Sequence, residues 1–315
     1  MATTTNISKS KYCSGVQCPK MLWLKIHKPE LFDNSVMREA ILEAGTKVGE
    51  LARGLFGDFK VVKFGDSSKM AQETKDLISA GEKVIAEASF LYAGLFCSID
   101  ILKNLGEGRV ELYEVKSSTS VNDIYLHDVS FQVYVLEKCG YTVEKACLVH
   151  INNQYIRGQE LELEKLFAIK DLTEVVHQMQ PEVHDRVLSL KECISNSEEP
   201  DTDLGVYCSA PYDCGYWQYC SEKLPSPNVF DIAGMATKKK VEYYKQGIII
   251  FILFKQMIII ENVSIETFNL VLCYCNSSSP ESFIGLFFKI FFKFFFQIYQ
   301  NNMCAVHLKF PFLYQ

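Results

Sequence analysis

Apolar residues recur at helical spacing over residues 31–57, LFDNSVMREAILEAGTKVGELARGLFG. Ala40, Ile41, Ala44, Val48, Leu51, Ala52 and Leu55 share one face, and Asn34 or Ser35 can cap the start. SKMAQETKDLISAG (68–81) predicts a shorter helix. Three runs of alternating character follow as strands: KVIAEASF (83–90), LFCSIDIL (95–102) and RVELYEVK (109–116), the last two separated by the turn NLGEG. HDVSFQVYVLEKCG (127–140) predicts a helix ending at Gly140, and TVEKACLVHIN (142–152) a further strand. Residues 171–194 predict a helix broken near Pro181. The order α, α, β, β, β, α, β, α indicates an α/β domain built on a mixed β-sheet. There is no internal repeat, no glycine-rich phosphate loop and no GxSxG elbow.

The pattern changes near residue 247. Thirteen of the twenty-two phenylalanines lie beyond residue 246, in GIIIFILFKQMIII and FIGLFFKIFFKFFFQIY, where no steady period or helix cap is found. The expected organisation is a domain over 1–246 and an atypical apolar tail over 247–315. The tail has three readings: a membrane anchor, a packed extension, or read-through of unselected sequence. Its apolar runs are short or interrupted by Lys255, Lys289 and Lys293, which argues against an anchor. Ile, Phe, Asn, Lys and Tyr are what AT-rich noncoding DNA encodes, which favours read-through and predicts poor order after about residue 247.

The 315 residues can enclose a sizeable core, and the net charge of −6 supplies no global basic field for nucleic acid. The start, MATTTNISKSKYC, lacks a secretory apolar stretch. Twelve cysteines without such a signal predict reduced thiols in a cytoplasmic protein, with metal or cluster ligation favoured over disulfides.

Two groups of residues carry candidate chemistry. Glu114 and Lys116 sit two apart on a strand and share a face, and the preceding strand ends in Asp100. Adjacent strands can bring Asp100 beside Glu114. These carboxylates with the carbonyl of Val115 offer hard oxygen ligands suited to Mg²⁺ or Mn²⁺. Lys116 can orient a water or stabilise developing charge, and Gln132 on the next helix can hold substrate or water. Acid–x–Lys spacing also occurs at Glu73–Lys75 and Asp58–Lys60, but only Glu114 and Lys116 follow a strand ending in aspartate. Asp128 could cap its helix and also face the metal, capping being the favoured role, while His127 has a weaker claim to touch substrate.

The second group is VYCSAPYDCGYWQYC, with Cys208, Cys214 and Cys220 six apart among aromatics. Structural zinc sites use closer pairs. The N-terminal stretch CSGVQCPKMLW offers Cys13 and Cys18, and Cys18, followed by Pro19, could complete a four-cysteine set and clip together segments 190 residues apart. Cys97, Cys139, Cys147 and Cys193 read as small core residues. Lys9, Lys11, Lys20, Lys25 and Lys28 with Tyr12 and Trp23 form a basic aromatic stretch that could meet a phosphate backbone or a base, or be a solvated helix face.

With both groups in view, residues 1–246 resemble the PD-(D/E)XK nuclease superfamily, most of all its RecB-type branch with an iron–sulfur clip, which includes CRISPR-adaptation exonucleases and AddB. The matching parts are ISKSKYCSGVQCPKMLWL, GTKVGELARGLFG, the strand with Asp100, Glu114-Val115-Lys116, DVSFQVYVLEKCG with Gln132, and PYDCGYWQYC. A bacterial family with this region ahead of a second domain looks still more similar. The resemblance covers about three-quarters of the chain and implies a restriction-endonuclease-like sheet flanked by helices, clipped by four cysteines. It implies metal on Asp100 and Glu114, catalysis by Lys116, assistance by Gln132, and a structural 4Fe–4S cluster on Cys18, Cys208, Cys214 and Cys220. The implied substrate is DNA, single-stranded or with free ends, and repair or recombination proteins are implied partners. Relatives often carry a metal-binding histidine on the first helix, where this chain has Gly49, and Glu50 or Glu87 could substitute. A non-catalytic nucleic-acid-binding domain and a membrane-attached protein are the alternatives.

Overall fold

The computed structural model describes residues 7–36 and 39–249. Residues 250–315, which are all of the tail but its first three residues, lie outside the described residues. The chain divides into two compact units, Met1–Lys223 and Leu224–Gln315, so the composition change at 246 falls inside the second unit. Of that unit, a 3₁₀ turn over Val229–Asp231 and a helix, Thr237–Lys245, are described. Among the described residues, no helix is long and apolar enough to cross a membrane.

The first unit is an α/β structure around a seven-stranded mixed sheet. In chain order its elements are β1 (Ile7–Ser8), α1 (Lys9–Gln17), α2 (Pro19–His27), α3 (Glu39–Arg53), β2 (Lys60–Val61), α4 (Ser67–Ser79), β3 (Val84–Tyr92), β4 (Leu95–Gly106) and β5 (Arg109–Lys116). They continue with α5 (Asp123–Lys138), β6 (Thr142–Ile151), α6 (Leu163–Leu166), β7 (Phe167–Asp171), α7 (Thr173–Gln178), α8 (Gln180–Ser195) and α9 (Trp217–Ser221). The strand order is β2-β3-β4-β5-β6-β7. β3, β4 and β5 form an antiparallel meander, and β6 returns parallel to β5 after the α5 crossover.

The sheet has apolar residues on both faces, so it is covered on both. On one face Val110 and Leu112 of β5 join Val129, Phe131, Val133 and Leu136 of α5 and Val183, Val187 and Leu190 of α8 in the larger core. On the other, Tyr113 and Val115 pack with Ala52 of α3, Cys147, Val149 and Phe167. α5 is buried nearly all round, which accounts for its near-continuous apolar sequence.

Two local features position the site. The first is β1, only two residues long, which pairs parallel with β4 at Leu95 and Phe96. β5 pairs with β4 only from Ile101 onward, so β1 fills the remaining edge in line with β5 and heads toward its end. The residue after β1, Lys9, is thereby aimed at the last residues of β5. The second is a kink. β3–β4 pairing passes from Ala86↔Ile101 to Ala88↔Ile99, leaving Glu87 and Asp100 opposed but out of the ladder. Glu87 adopts a left-handed backbone (φ 57°), uncommon for a residue with a side chain. The alternation slips there, so Ile85 and Ala88 both face the larger core, as do Ile99 and Leu102.

Some boundaries differ from the sequence expectation. α5 begins at Asp123 rather than at His127 or Asp128, because Asn122 is already extended at the N-cap position (φ −114°, ψ 152°). Asp128 is therefore inside the helix and cannot cap it. α3 begins at Glu39, and Asn34–Val36 is a separate 3₁₀ turn, so Asn34 and Ser35 do not cap that helix. The basic N-terminal stretch is no open nucleic-acid face. Tyr12 and Trp23 are buried, and both Lys20 and Lys28 pair with Glu199 at 2.8 and 2.9 Å.

The Phe131 ring stacks on Tyr12 at 4.5 Å and joins α5 to α1. Phe131→Ala is expected to cost about 3–5 kcal/mol, read as a lower urea midpoint with an unchanged slope.

Candidate active site and the cysteine cavity

Glu114 stands on the larger-core face near the end of β5 and is 1% exposed. A carboxylate there needs charged partners, since an unpaired buried charge costs several kcal/mol. Lys9 Nζ donates to both of its oxygens at 2.9 Å. Lys116 Nζ donates to Glu114 Oε1 at 2.7 Å and to Asp128 Oδ2 at 2.6 Å. Gln132 Nε2 donates to Glu114 Oε2 at 2.8 Å and Asp128 Oδ1 at 3.1 Å. Asp128 and Gln132 are four apart on α5, so one helix face delivers both.

Continuing the β4–β5 register places Asp100 across from Glu114. Asp100 Oδ2 accepts the Val115 amide at 2.7 Å. Val115 thus enters the site through its backbone N–H, while its side chain packs in the smaller core on the opposite face.

The charges interlock. Burial, with the neighbouring Glu114 charge second, raises Asp100 from its ordinary 3.8 to about 7. Burial pushes Glu114 the same way, but Lys116 and Lys9 overcome it and hold Glu114 well below the usual carboxylate range. Burial and Glu114 raise Asp128. Burial disfavours charge on Lys116 as well, yet Glu114, Asp128 and Asp100 keep it firmly protonated. The Lys116 and Lys9 side chains are 23% and 22% exposed, so both ammonium groups are within reach of a ligand from solvent.

The structure brings the expected Asp100, Glu114, Lys116 and Gln132 together with Asp128 and Lys9, six residues in all. Lys9 belongs to the basic stretch in the sequence, and Asp128 is favoured there as a cap. Neither Glu50 nor Glu87 joins the cluster through a hydrogen bond or ion pair among the described residues. Glu50 is exposed on α3, and Glu87 is engaged by Arg53 at 2.7 Å. His127 is half-buried on α5, and burial lowers its pKa.

Three carboxylates form a hard-oxygen donor set that matches the preference of Mg²⁺ or Mn²⁺. A further donor is present: Gln132 Oε1 is buried and has no hydrogen-bond partner, its amide being oriented by the two carboxylates that take the Nε2 protons. As the side chains stand, no three His, Cys, Asp or Glu residues among the described residues close around a single point, because the two lysines lie between the carboxylates.

The cysteine group is assembled by the other end of α1. Cys18, Cys208, Cys214 and Cys220 all line one cavity, with Met21, Leu24, Leu204, Tyr207, Tyr216 and Trp217 among its walls. The enclosed space is about 20 Å³, room for one water. Gly215 allows the Phe32 ring to approach, since a Cβ there would lie 2.5 Å from it. Glu199 braces the wall through Lys20, Lys28 and Tyr219. Burial pushes all four thiols up, Cys208 and Cys220 to about 11. Thiols that ring a space, rather than meet at a point, suit a polynuclear cluster better than one ion. The buried Tyr216 hydroxyl in the same wall has no hydrogen-bond partner. Seating a cluster requires the side chains to spread. Cys97 and Cys147 are buried as expected, and all nine described cysteines are free thiols.

No protein-family model and no curated protein matches the chain. Among solved structures it is similar to LHK-Exo in complex with dAMP, at 13% identity over 60% of this chain and 90% of that one, with a TM-score of 0.34. It is also similar to SSO0001 (14%, 71% and 90%, TM-score 0.37). A third similarity is to an alkaline exonuclease, LHK-Exo from Laribacter hongkongensis (15%, 51% and 86%, TM-score 0.25).

Asp100 yields a pH prediction for the metal-free protein. The folded state keeps its proton between about 4 and 7 while the unfolded state loses it, so this group costs stability as pH rises through that window. Asparagine mimics the protonated acid and can still accept the Val115 amide. Asp100→Asn is expected to melt like wild type below about pH 4 and higher than wild type above about pH 7, by calorimetry in chelator.

Proposed function

We propose that the first unit is a metal-dependent nuclease of the PD-(D/E)XK type that hydrolyses phosphodiester bonds in DNA, acting on single-stranded ends. The observation that carries this reading is the composition of one buried corner. Glu114 and Lys116 share a face at the end of β5, Asp100 lies across from Glu114, and Gln132 presents an unpartnered oxygen beside them.

Asp100 and Glu114 would hold the cation, with Asp128 beside them. When bound there, a divalent cation polarises a phosphoryl oxygen and brings a water's pKa toward neutrality. The protein's share is electrostatic. Lys116 stays protonated at neutral pH, so it serves as a fixed positive charge and donor toward the phosphate oxygens rather than as a general base. Gln132, fixed by two carboxylates, can accept a hydrogen bond from the attacking water at its unpartnered Oε1 and so orient it. Lys9 neutralises Glu114 from behind and keeps β1 and α1 against the site.

The four cysteines support a structural iron–sulfur cluster at the junction of the N-terminal helices with residues 204–220. Its thiols are neutral as they stand, and ligation to iron would take them as thiolates.

A second reading has its own support. Lys9 and Lys116 already occupy both Glu114 oxygens, as in a purely structural ion-pair network. A nucleic-acid-binding domain without turnover would have the same geometry.

Cleavage of end-labelled single- and double-stranded DNA by the chain, purified without oxygen and supplied with Mn²⁺, separates the two. The nuclease reading expects cleavage that falls by at least ~10²-fold in Lys116→Ala at unchanged melting temperature. No cleavage by folded wild type would leave the ion-pair reading. Independently of turnover, Mn²⁺ is expected to raise the melting temperature of wild type and not that of Asp100→Asn. Brown absorbance with bound iron and sulfide is expected in wild type and lost in Cys214→Ser.

A further inference from the structure

Tyr212 has no part in the reading above, yet it is built into the site. It lies on the loop between Cys208 and Cys214. Gln17 Nε2 donates to the Tyr212 carbonyl at 2.7 Å and to the Tyr207 carbonyl at 2.7 Å. Gln17 is the last residue of α1, and the first, Lys9, grips Glu114. One nine-residue helix therefore holds the loop at one end and the carboxylates at the other.

The side chain is aimed at the same corner. Tyr212 faces Tyr125 on the first turn of α5, and the centre of the Tyr125 ring is 5.4 Å from Lys116 Nζ. Burial raises the Tyr212 phenol to about 12, and the nearby Tyr125 adds to the shift. Burial pushes Tyr125 up too, but hydrogen bonding with Ser118, Asn122 and Tyr212 brings it below its ordinary value. Tyr212 thus keeps its proton and leans on Tyr125. Even so, 56% of Tyr212 is open to solvent, whereas Tyr12 and Trp23 are buried. A ring fixed by its backbone, hydrogen-bonded through its hydroxyl to Tyr125 and still open near a protonated lysine has the features of a stacking platform.

We propose that Tyr212, supported by Tyr125, is a nucleobase-binding site at the mouth of the Glu114–Lys116 cluster, where one unpaired base of a nucleic-acid strand stacks and its adjoining phosphate reaches Lys116. The stacking part stands on geometry alone, and the delivery of a phosphate for cleavage rests on the nuclease reading. A base in a duplex is covered on both faces and paired at its edge, so this site selects an unpaired strand. It also gives the cysteine loop a task in substrate selection.

The test is fluorescence anisotropy of labelled oligothymidylate against the full chain in chelator, where no cleavage occurs, for wild type, Tyr212→Ala, Tyr212→Phe and Tyr212→Trp. Tyr212→Ala is expected to weaken binding roughly ten- to a hundredfold. Phenylalanine and tryptophan should stay within about twofold, since the π-face is retained. An oligomer of abasic residues should bind wild type and Tyr212→Ala alike. Equal binding of oligothymidylate by wild type and Tyr212→Ala, at equal melting temperature and iron content, would overturn the proposal. So would equal losses in the alanine and phenylalanine variants, which would make the hydroxyl the contact. Hydrolysis with Mn²⁺ separates the two readings. Aromatic-dependent binding without cleavage removes the nuclease and leaves the base site. Cleavage with an unaltered KM in Tyr212→Ala removes the base site and leaves the nuclease. Absence of both binding and cleavage in wild type overturns both.

Discussion

The contact between Lys9 and Glu114 is the constraint around which the first unit is arranged. Removing a carboxylate from water costs several kcal/mol, and only well-placed partners offset that cost. Glu114 draws two ammonium groups and one amide from three elements: Lys9 from the start of α1, Lys116 from its own strand and Gln132 from α5. Each partner fixes a neighbour in turn. Lys9 can reach the site only if β1 sits on the β4 edge, and that edge is open only because β5 stops pairing at Ile101. The polar corner and the sheet topology are therefore one solution. The apolar faces of α5 and β5 supply most of the burial, but they would tolerate some sliding, whereas the charge network fixes one register.

α1 makes the two chemical centres neighbours in a mechanical sense. It is short, and its sequence, KSKYCSGVQ, is only weakly amphipathic. Its ends are nevertheless held by specific contacts, a charged pair at Lys9 and two carbonyls at Gln17. In the middle, Tyr12 stacks on Phe131, and Gly15 lets Leu190 approach, where a Cβ would lie 2.7 Å from its methyl groups. A shift of the cysteine loop therefore acts on a rigid segment whose far end touches Glu114.

Much of the meander was legible because strands that are apolar on alternate positions announce their face. Glu114 and Lys116 share a side by period alone, and Asp100 follows from the hairpin. α4 and the break before α8 were legible from periodicity and Pro181. The start of α5 was not, since Asn122 and Asp123 continue a polar run and resemble loop. That error favoured a cap for Asp128 over its second reading as an acid facing the metal, whereas it lies inside the helix and pairs with Lys116. Lys9 had no local signal at all: its partner is 105 residues away, and β1 is too short to leave a pattern. The kink at Glu87 was equally hidden, because a left-handed backbone at a glutamate is imposed by packing across strands. The gathering of Cys18 with Cys208, Cys214 and Cys220 was legible as chemistry, since evenly spaced thiols among aromatics are unusual, while the way α1 and Gln17 join that cavity to the carboxylates was not.

The edge filled by β1 bears on how the protein is made. Synthesis runs from the N-terminus, yet Ile7 and Ser8 have no partner until Leu95 and Phe96 exist, and Lys9 has none until Glu114 follows. Cys18 waits still longer for Cys214 and Cys220. Residues 7–18 are thus among the last of the first unit to find their places. A chain interrupted before residue 114 carries the lysine and the first thiol but neither finished corner.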